Sequence, residues 1–428
     1  MRCRSCRDEL SPPVLDLGFA PPSNSYLSID QLDEPETYLP LRARFCDKCM
    51  LMQLENYSEP QNLFTPDYAY RSGVSQTWID HVTTFARSIS ARLDLNSRSL
   101  VAEIGCNDGH LLRNFASAGI PCLGIEPAAA AAQAARLHGI DINEDFFSAA
   151  LAGELAGGGV LADLIIANNV FAHVPEINDF ADGLSTIVKP DGVITLEFPH
   201  VQNLVRYGQF DTIYHEHYSY LSLTSASRVL ERAGLEVFDV EQLATHGGSL
   251  RVYAGHHGQG RTVTHRVREI LQSEIDTGLL KRETYAELQP KAERIKDALL
   301  TFLLDAKRSG KHVAAYGAAA KGSTLLNFAG IKPDLLPVVY DAAPSKQGRY
   351  LPGSHVPIRH PSSIEAGIWD YILILPWNIA DEVMSQLAEL ARNGTAFVVA
   401  IPELALLPAN SGANARETAP QQHSRQAC

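Results

Sequence analysis

Between Thr77 and Leu93 the apolar residues Trp78, Val82, Phe85, Ala86, Ile89 and Leu93 recur every three or four positions and stop before Asn96-Ser97, which predicts an amphipathic helix. The pattern then changes to short apolar runs separated by helical stretches. Leu100-Val101-Ala102-Glu103-Ile104 leads into Gly105-Cys106-Asn107-Asp108-Gly109 and a helix through Leu111, Leu112 and Phe115. Cys122-Leu123-Gly124-Ile125 ends at Glu126-Pro127, ahead of an alanine-rich helix, and runs at 162–168 and 192–197 continue the alternation. This stretch reads as a doubly wound parallel α/β sheet. Helical spacing from about Val263 to Lys307 gives way to a second alternation, with strands predicted at 312–317, 336–341, 371–375 and 396–400. The first sixty residues carry little period and many turn formers (Pro12-Pro13, Pro21-Pro22-Ser23-Asn24), so they are not expected to build a core unaided. After Pro408 the chain is polar and small, which predicts disorder.

At 428 residues the chain exceeds one typical domain. The pattern divides it into 1–64, 65–257, 258–409 and a tail at 410–428. Composition is that of a globular protein, 45% hydrophobic and 20% charged, without an apolar run of membrane-spanning length or a secretory h-region, so we expect a cytoplasmic chain and no membrane partner. The net charge of -13 opposes polyanions.

Seven cysteines include two tight pairs, Cys3-x-x-Cys6 and Cys46-x-x-Cys49. Four thiolates from two turns suit a tetrahedral structural zinc and leave no open position for catalysis. Around them Asp8, Glu9, Asp30, Asp33 and Glu34 dominate in place of a basic stripe, so no nucleic-acid partner is expected.

The loop from Glu103 through Gly105, Asn107, Asp108 and Gly109 turns sharply before a helix start, where free amides meet a carboxylate or phosphate. Glu126, 21 residues after Gly105, ends the next strand, where a carboxylate accepts both hydroxyls of a ribose. The third glycine of the dinucleotide fingerprint is missing, which favours S-adenosylmethionine (SAM) over a pyrophosphate cofactor. Over residues 70 to 257 the chain resembles the class I SAM-dependent methyltransferases. That resemblance puts Glu126 on the ribose and Asn168-Asn169 near the methyl donor.

Titratable and aromatic groups crowd Asp211-Thr212-Ile213-Tyr214-His215-Glu216-His217-Tyr218-Ser219-Tyr220. An i, i+2 histidine pair is a weak metal signal, and a neutral histidine is better read as a general base. Methylation of carbon needs one, because a C–H beside a carbonyl becomes nucleophilic only when deprotonated. The enolate then needs donors such as Tyr214 or another histidine. His173 sits on the same sheet edge; its alternative use is capping or packing.

Tyr316-Gly317-Ala318-Ala319-Ala320-Lys321-Gly322 lies between a strand and a helix, where Lys321 meets a pyrophosphate at the helix start. Asp341 ends the next strand, and the loop Ser345-Lys346-Gln347-Gly348-Arg349-Tyr350 adds cations and an aromatic surface. The competing reading is a Rossmann-like lobe without ligand. Trp377 serves core or interface.

Together with Leu17-Gly18-Phe19-Ala20-Pro21-Pro22-Ser23-Asn24, the cysteine pairs, the Glu103–Gly109 loop, Tyr214-His215-Glu216-His217 and the Tyr316–Gly322 loop resemble the SAM-dependent deoxysugar C-methyltransferases across nearly the whole chain. The resemblance implies a class I methyltransferase sheet flanked by a zinc-binding domain and a C-terminal Rossmann-like α/β domain. It implies methylation at C3, in some members C5, of a TDP- or GDP-linked 4-keto-6-deoxyhexose, and no particular oligomeric state. His217 takes the base's place, with His215 able to share it; Tyr214, Glu216 and His173 contact substrate or enolate, and Tyr68 or Tyr70 supplies a further tyrosine. The C-terminal lobe, with Tyr316, Gly317, Lys321, Asn327, Asp341, Lys346, Arg349 and Tyr350, takes part of the nucleotide sugar. The rival readings are a zinc-containing RNA methyltransferase and a non-catalytic sugar-nucleotide binder.

Overall fold

The computed structural model describes residues 1–55, 57, 60–63, 73 and 75–408. Tyr68, Tyr70 and the tail 410–428 lie outside the described residues.

The N-terminal segment is more regular than its turn-rich sequence suggests. β1 (Leu15–Ala20), β2 (Leu39–Phe45) and β3 (Met52–Leu54) pair antiparallel, and Leu41, Ala43 and Phe45 alternate inward along β2. These strands do not form a free-standing sheet. Phe45 stacks on Tyr285 at 4.4 Å between ring centroids, and the same core takes in Leu288, Ala292, Ile295, Leu299 and Leu303. Those residues recur every three or four positions along the helix Leu288–Arg308, whose apolar stripe receives the sheet. Long-range packing therefore supplies the core that the segment lacks locally.

In the middle third, β4 (Val101–Ile104), β5 (Cys122–Ile125), β6 (Asp141–Asn143), β7 (Ala162–Asn168) and β8 (Val188–Pro199) run parallel, as the alternating pattern predicts. β4 and β7 are buried along almost their whole length, hence their continuous apolar runs. The sheet then departs from the parallel expectation. β10 (Leu235–Leu243) and β11 (Ser249–His256) form a hairpin, and β11 pairs antiparallel with β8, giving the order β10-β11-β8-β7-β4-β5-β6. Charged positions such as Glu236, Asp239, Glu241 and Arg251 interrupt the apolar run of this hairpin, and conceal it from a search for buried strands. The amphipathic helix spans Gln76–Leu93, capped by Ser75, and buries Val82, Phe85, Ala86 and Ile89.

Between β8 and β10 a two-residue strand, β9 (Ser219–Tyr220), leaves this sheet and joins the N-terminal one, pairing Gln53 with Ser219 and Met52 with Tyr220. The segment that contains His217 is thus strung between two sheets.

The third sheet holds β12 (Val313–Tyr316), β13 (Val339–Tyr340), β14 (Ile358–Arg359), β15 (Tyr371–Ile374), β16 (Ala396–Val399) and β17 (Ala405–Leu407), in the order β14-β13-β12-β15-β16-β17. All pairs are parallel except β16 with β17. The fold is α/β, with a class I methyltransferase sheet and a second Rossmann-like sheet. Among the described residues no helix is long and apolar enough to cross a membrane.

Candidate active site and zinc site

The ligand atoms of Cys3, Cys6, Cys46 and Cys49 all lie within 4.8 Å of one another. Zinc–sulfur bonds of about 2.3 Å in a tetrahedron require sulfurs about 3.8 Å apart, so the cluster fits the ion. The four thiolates are the ligands of a structural zinc. The Gln53 side chain donates to Cys3 Sγ at 3.1 Å, and Gln53 pairs with Ser219, two residues beyond His217. The metal site and the segment that contains His217 are therefore linked through the β3–β9 strand pair.

A cavity of about 470 Å³ opens at the carboxyl ends of β4, β5 and β7, the position where parallel α/β sheets bind ligands. Glu103, Gly105, Asn107 and Glu126 line one part of it. Gly105 has φ +65°, and a Cβ there would stand 2.6 Å from Val170 Cγ2, so only glycine lets the loop turn this closely. Asp108 accepts from Gly73 N–H, and Gly109 packs against Ala135; neither lines the cavity. Glu126 accepts from the amides of Asn107 and Ala128, both at 2.9 Å, which holds its carboxylate at the end of β5.

Glu103 Oε2 and both amide atoms of Asn168 are buried without a protein hydrogen bond. Burial, with Glu126 and Asp108 nearby, pushes the Glu103 carboxyl well above its ordinary value. Crowded acids beside orphaned amide atoms fit a ligand that brings positive charge and hydroxyls, as SAM does. Asn168 and Asn169 line the cavity after β7.

The catalytic candidates enter the same cavity. His217 Nδ1 donates to the Thr212 carbonyl at 3.0 Å, which fixes the tautomer and leaves Nε2 as the basic nitrogen. Burial, then His173, pushes His217 well below the ordinary imidazole value, so it is neutral at pH 7. His173 is held to about 4 by burial, against a hydrogen bond with the Glu216 backbone. Tyr214 lies over the His217 ring, centroids 4.0 Å apart. Glu216 accepts from both sides of its carboxylate, 2.9 and 2.8 Å from Asn24 Nδ2. His215 turns away from the cavity, with Nε2 on the Pro40 carbonyl at 3.2 Å.

Of the C-terminal candidates, Lys321 and Lys346 line the cavity. Lys321 donates to Asn378 Oδ1 at 2.6 Å and sits 4.7 Å over the Trp377 ring. Burial lowers it to about 8 against the pull of Asp211. Trp377 in turn donates to Asp211 Oδ2 at 2.7 Å, so this tryptophan is an interface residue. Lys346 donates to the Ala318 carbonyl and pairs with Asp341. The remaining candidates lie outside the cavity lining. Tyr316 bonds Gln386, Gly317 packs on Pro376, Asn327 donates to the Ser323 and Pro352 carbonyls, Arg349 approaches the Tyr26 carbonyl, and Tyr350 bridges Leu27.

Trp78 and His246 also line the cavity, and sequence reading singled out neither for this role. Trp78 looks like any apolar position of its helix, and a single histidine before two glycines carries no motif. Asn24 closes the Leu17–Asn24 motif, but its partner is 192 positions away.

Three family descriptions match the chain: a zinc binding domain at residues 3–64, a methyltransferase domain at 70–240, and a C-methyltransferase C-terminal domain at 244–402. The C-methyltransferase NovU of Streptomyces niveus is 34% identical over 409 residues, covering 96% of this chain and 97% of that protein. The ubiquinone biosynthesis O-methyltransferase of Brucella ovis is 29% identical over 93 residues, 22% of this chain and 38% of that one. Among solved structures, the magnesium protoporphyrin IX methyltransferase ChlM from Synechocystis PCC 6803 with bound SAM is similar over 42% of this chain and 79% of its own, with 16% identity and a TM-score of 0.32.

Proposed function

This chain belongs to the C-methyltransferase family and is a SAM-dependent enzyme, and from that premise we propose that it methylates C3 of a nucleotide-linked 4-keto-6-deoxyhexose. The reading takes residues 1–64, 65–257 and 258–409 as its zinc-binding, methyltransferase and substrate-binding units.

The observation that supports it is that His217, with Nδ1 held on the Thr212 carbonyl, lines the same cavity as the Gly105 loop and Lys321. SAM, when bound by the loop and Glu126, supplies an electrophilic methyl group. His217 Nε2 takes a proton from the carbon beside the ketone. Tyr214 and His173, both beside that ring, orient it and the developing enolate. Lys321 and Lys346, which both line the cavity, give the nucleotide's pyrophosphate two cations. A carbon acceptor has no lone pair until it is deprotonated, so transfer to carbon gives this buried base an obligatory role.

The test is solvent deuterium exchange into a TDP-4-keto-6-deoxyhexose with S-adenosylhomocysteine present. The wild-type enzyme is expected to exchange the C3 hydrogen, and His217→Asn to lose this exchange. Exchange at C5 alone would move the reaction to that carbon, and full exchange by the variant would remove His217 as base.

A further inference from the structure

His246 occupies a short turn, Thr245–Gly247, between β10 and β11, with φ 54°. Two glycines follow it, yet the left-handed position holds a β-carbon, and such strain concentrates where a side chain has a task. The turn is pinned on both sides. Thr245 Oγ1 donates to Glu197 Oε1 at 3.0 Å, Gly248 N–H to the Thr245 carbonyl at 2.9 Å, and Gln209 Nε2 to the Gly247 carbonyl at 3.0 Å.

Facing it is Asn169, also left-handed at φ 56°. Its backbone N–H donates to the Glu197 carbonyl at 2.6 Å, and its Nδ2 lies 3.3 Å from His246 Nε2. Both strained residues are thus anchored on Glu197 near the end of β8. Glu197 is itself buried, with His81 Nε2 at 2.9 Å and Arg251 Nη2 at 2.7 Å. An amide donating to Nε2 puts the imidazole proton on Nδ1. Among the described residues nothing accepts a hydrogen bond from that nitrogen, and the side chain lines the cavity. Burial, then Lys321, holds His246 to about 4, so it is a neutral donor and not an acid at working pH.

We infer that His246 is a further catalytic residue, donating its Nδ1–H to the ketone oxygen as negative charge develops there. The inference rests on the keto-sugar reading above. In the step concerned, His217 Nε2 takes the C3 proton and the C–H electron pair becomes the C3–C4 double bond. The carbonyl π pair moves onto the oxygen, which accepts a hydrogen bond from His246 without any second proton being transferred. A neutral imidazole serves this role because it polarises a carbonyl while staying protonated at one nitrogen.

The decisive variant is His246→Gly, since glycine adopts the left-handed backbone without strain. Its melting temperature and SAM affinity should match or exceed those of the wild type. Its C3 deuterium exchange and kcat should both fall about 100-fold, the usual cost of one oxyanion donor. His246→Asn keeps an amide donor and tolerates the backbone, and should recover about tenfold of that loss. Between pH 6 and about 9 the shape of the kcat profile should be unchanged, because a neutral donor does not titrate there. Exchange by His246→Gly within about threefold of wild type overturns the assignment, as does a parallel loss of exchange and SAM affinity, which would make the residue a support for the fold. A wild-type enzyme that binds SAM but exchanges no keto-sugar nucleotide sinks the substrate reading instead, and this inference with it.

Discussion

The rings of His173 and His217 meet edge to face with centroids 4.5 Å apart, and a charge on either opposes a charge on the other. Both are withdrawn from water, so each is kept neutral, the form in which His217 is able to accept a proton.

That burial sets an acid limit on stability. His173 and His246 each titrate near 4 in the folded chain against about 6.5 unfolded, so between those values the unfolded state binds more protons. The stabilisation is full above about pH 6.5 and is lost as pH falls toward 4, at about 3 kcal/mol for each imidazole. Calorimetric melting from pH 7.5 down to 4.5 should show a steep decline, and His173→Asn should flatten it.

Lys321 sets the alkaline limit. Its value near 8 means that kcat/KM for the proposed sugar-nucleotide substrate should fall above about pH 8 as the ammonium loses its charge. Lys321→Met should abolish this limb and raise KM about tenfold or more, with the SAM affinity retained. A persistent limb in the variant would assign it to another group.

Asn24 joins the N-terminal segment to the Tyr214–His217 stretch through Glu216. Asn24→Ala should lower kcat about tenfold by releasing that carboxylate. Asn24→Asp should cost more at pH 8 than at pH 6, because two carboxylates at this separation resist joint ionisation. A pH-independent deficit would contradict this.

Removing zinc should reach the active site through Gln53 and β9. Cys46→Ser is expected to lose the metal by elemental analysis, and to lower the melting temperature by about 5 °C or more. Its kcat should fall further than its SAM affinity, since β9 follows His217 while the cofactor loop follows β4. Unchanged kcat in a metal-free variant would show that the two sites are independent.

Much of the architecture was legible along the chain because its causes are local. Buried parallel strands need continuous apolar runs, and Val101–Ile104 and Ala162–Asn168 have them; a turn against a neighbouring side chain needs glycine, and Gly105 supplies it. The cysteine pairs announce their ligand through spacing alone. The β10–β11 hairpin was missed because charged residues break up its apolar pattern, and the N-terminal strands because prolines surround them.

What the sequence alone determined was therefore the buried parallel strands with the helices between them, the sharp turn at Gly105, the two cysteine pairs and the short stretch from Tyr214 to His217. Only the tertiary structure decided which members of that stretch face the cavity: His217 inward on a tautomer set by Thr212, His215 outward onto Pro40. It also decided that Asn24, His246 and Lys321, from three distant parts of the chain, line the same cavity. The physical reason is that period and spacing report neighbours along the backbone, whereas the direction of a buried side chain and its protonation depend on groups brought beside it by packing from elsewhere in the chain.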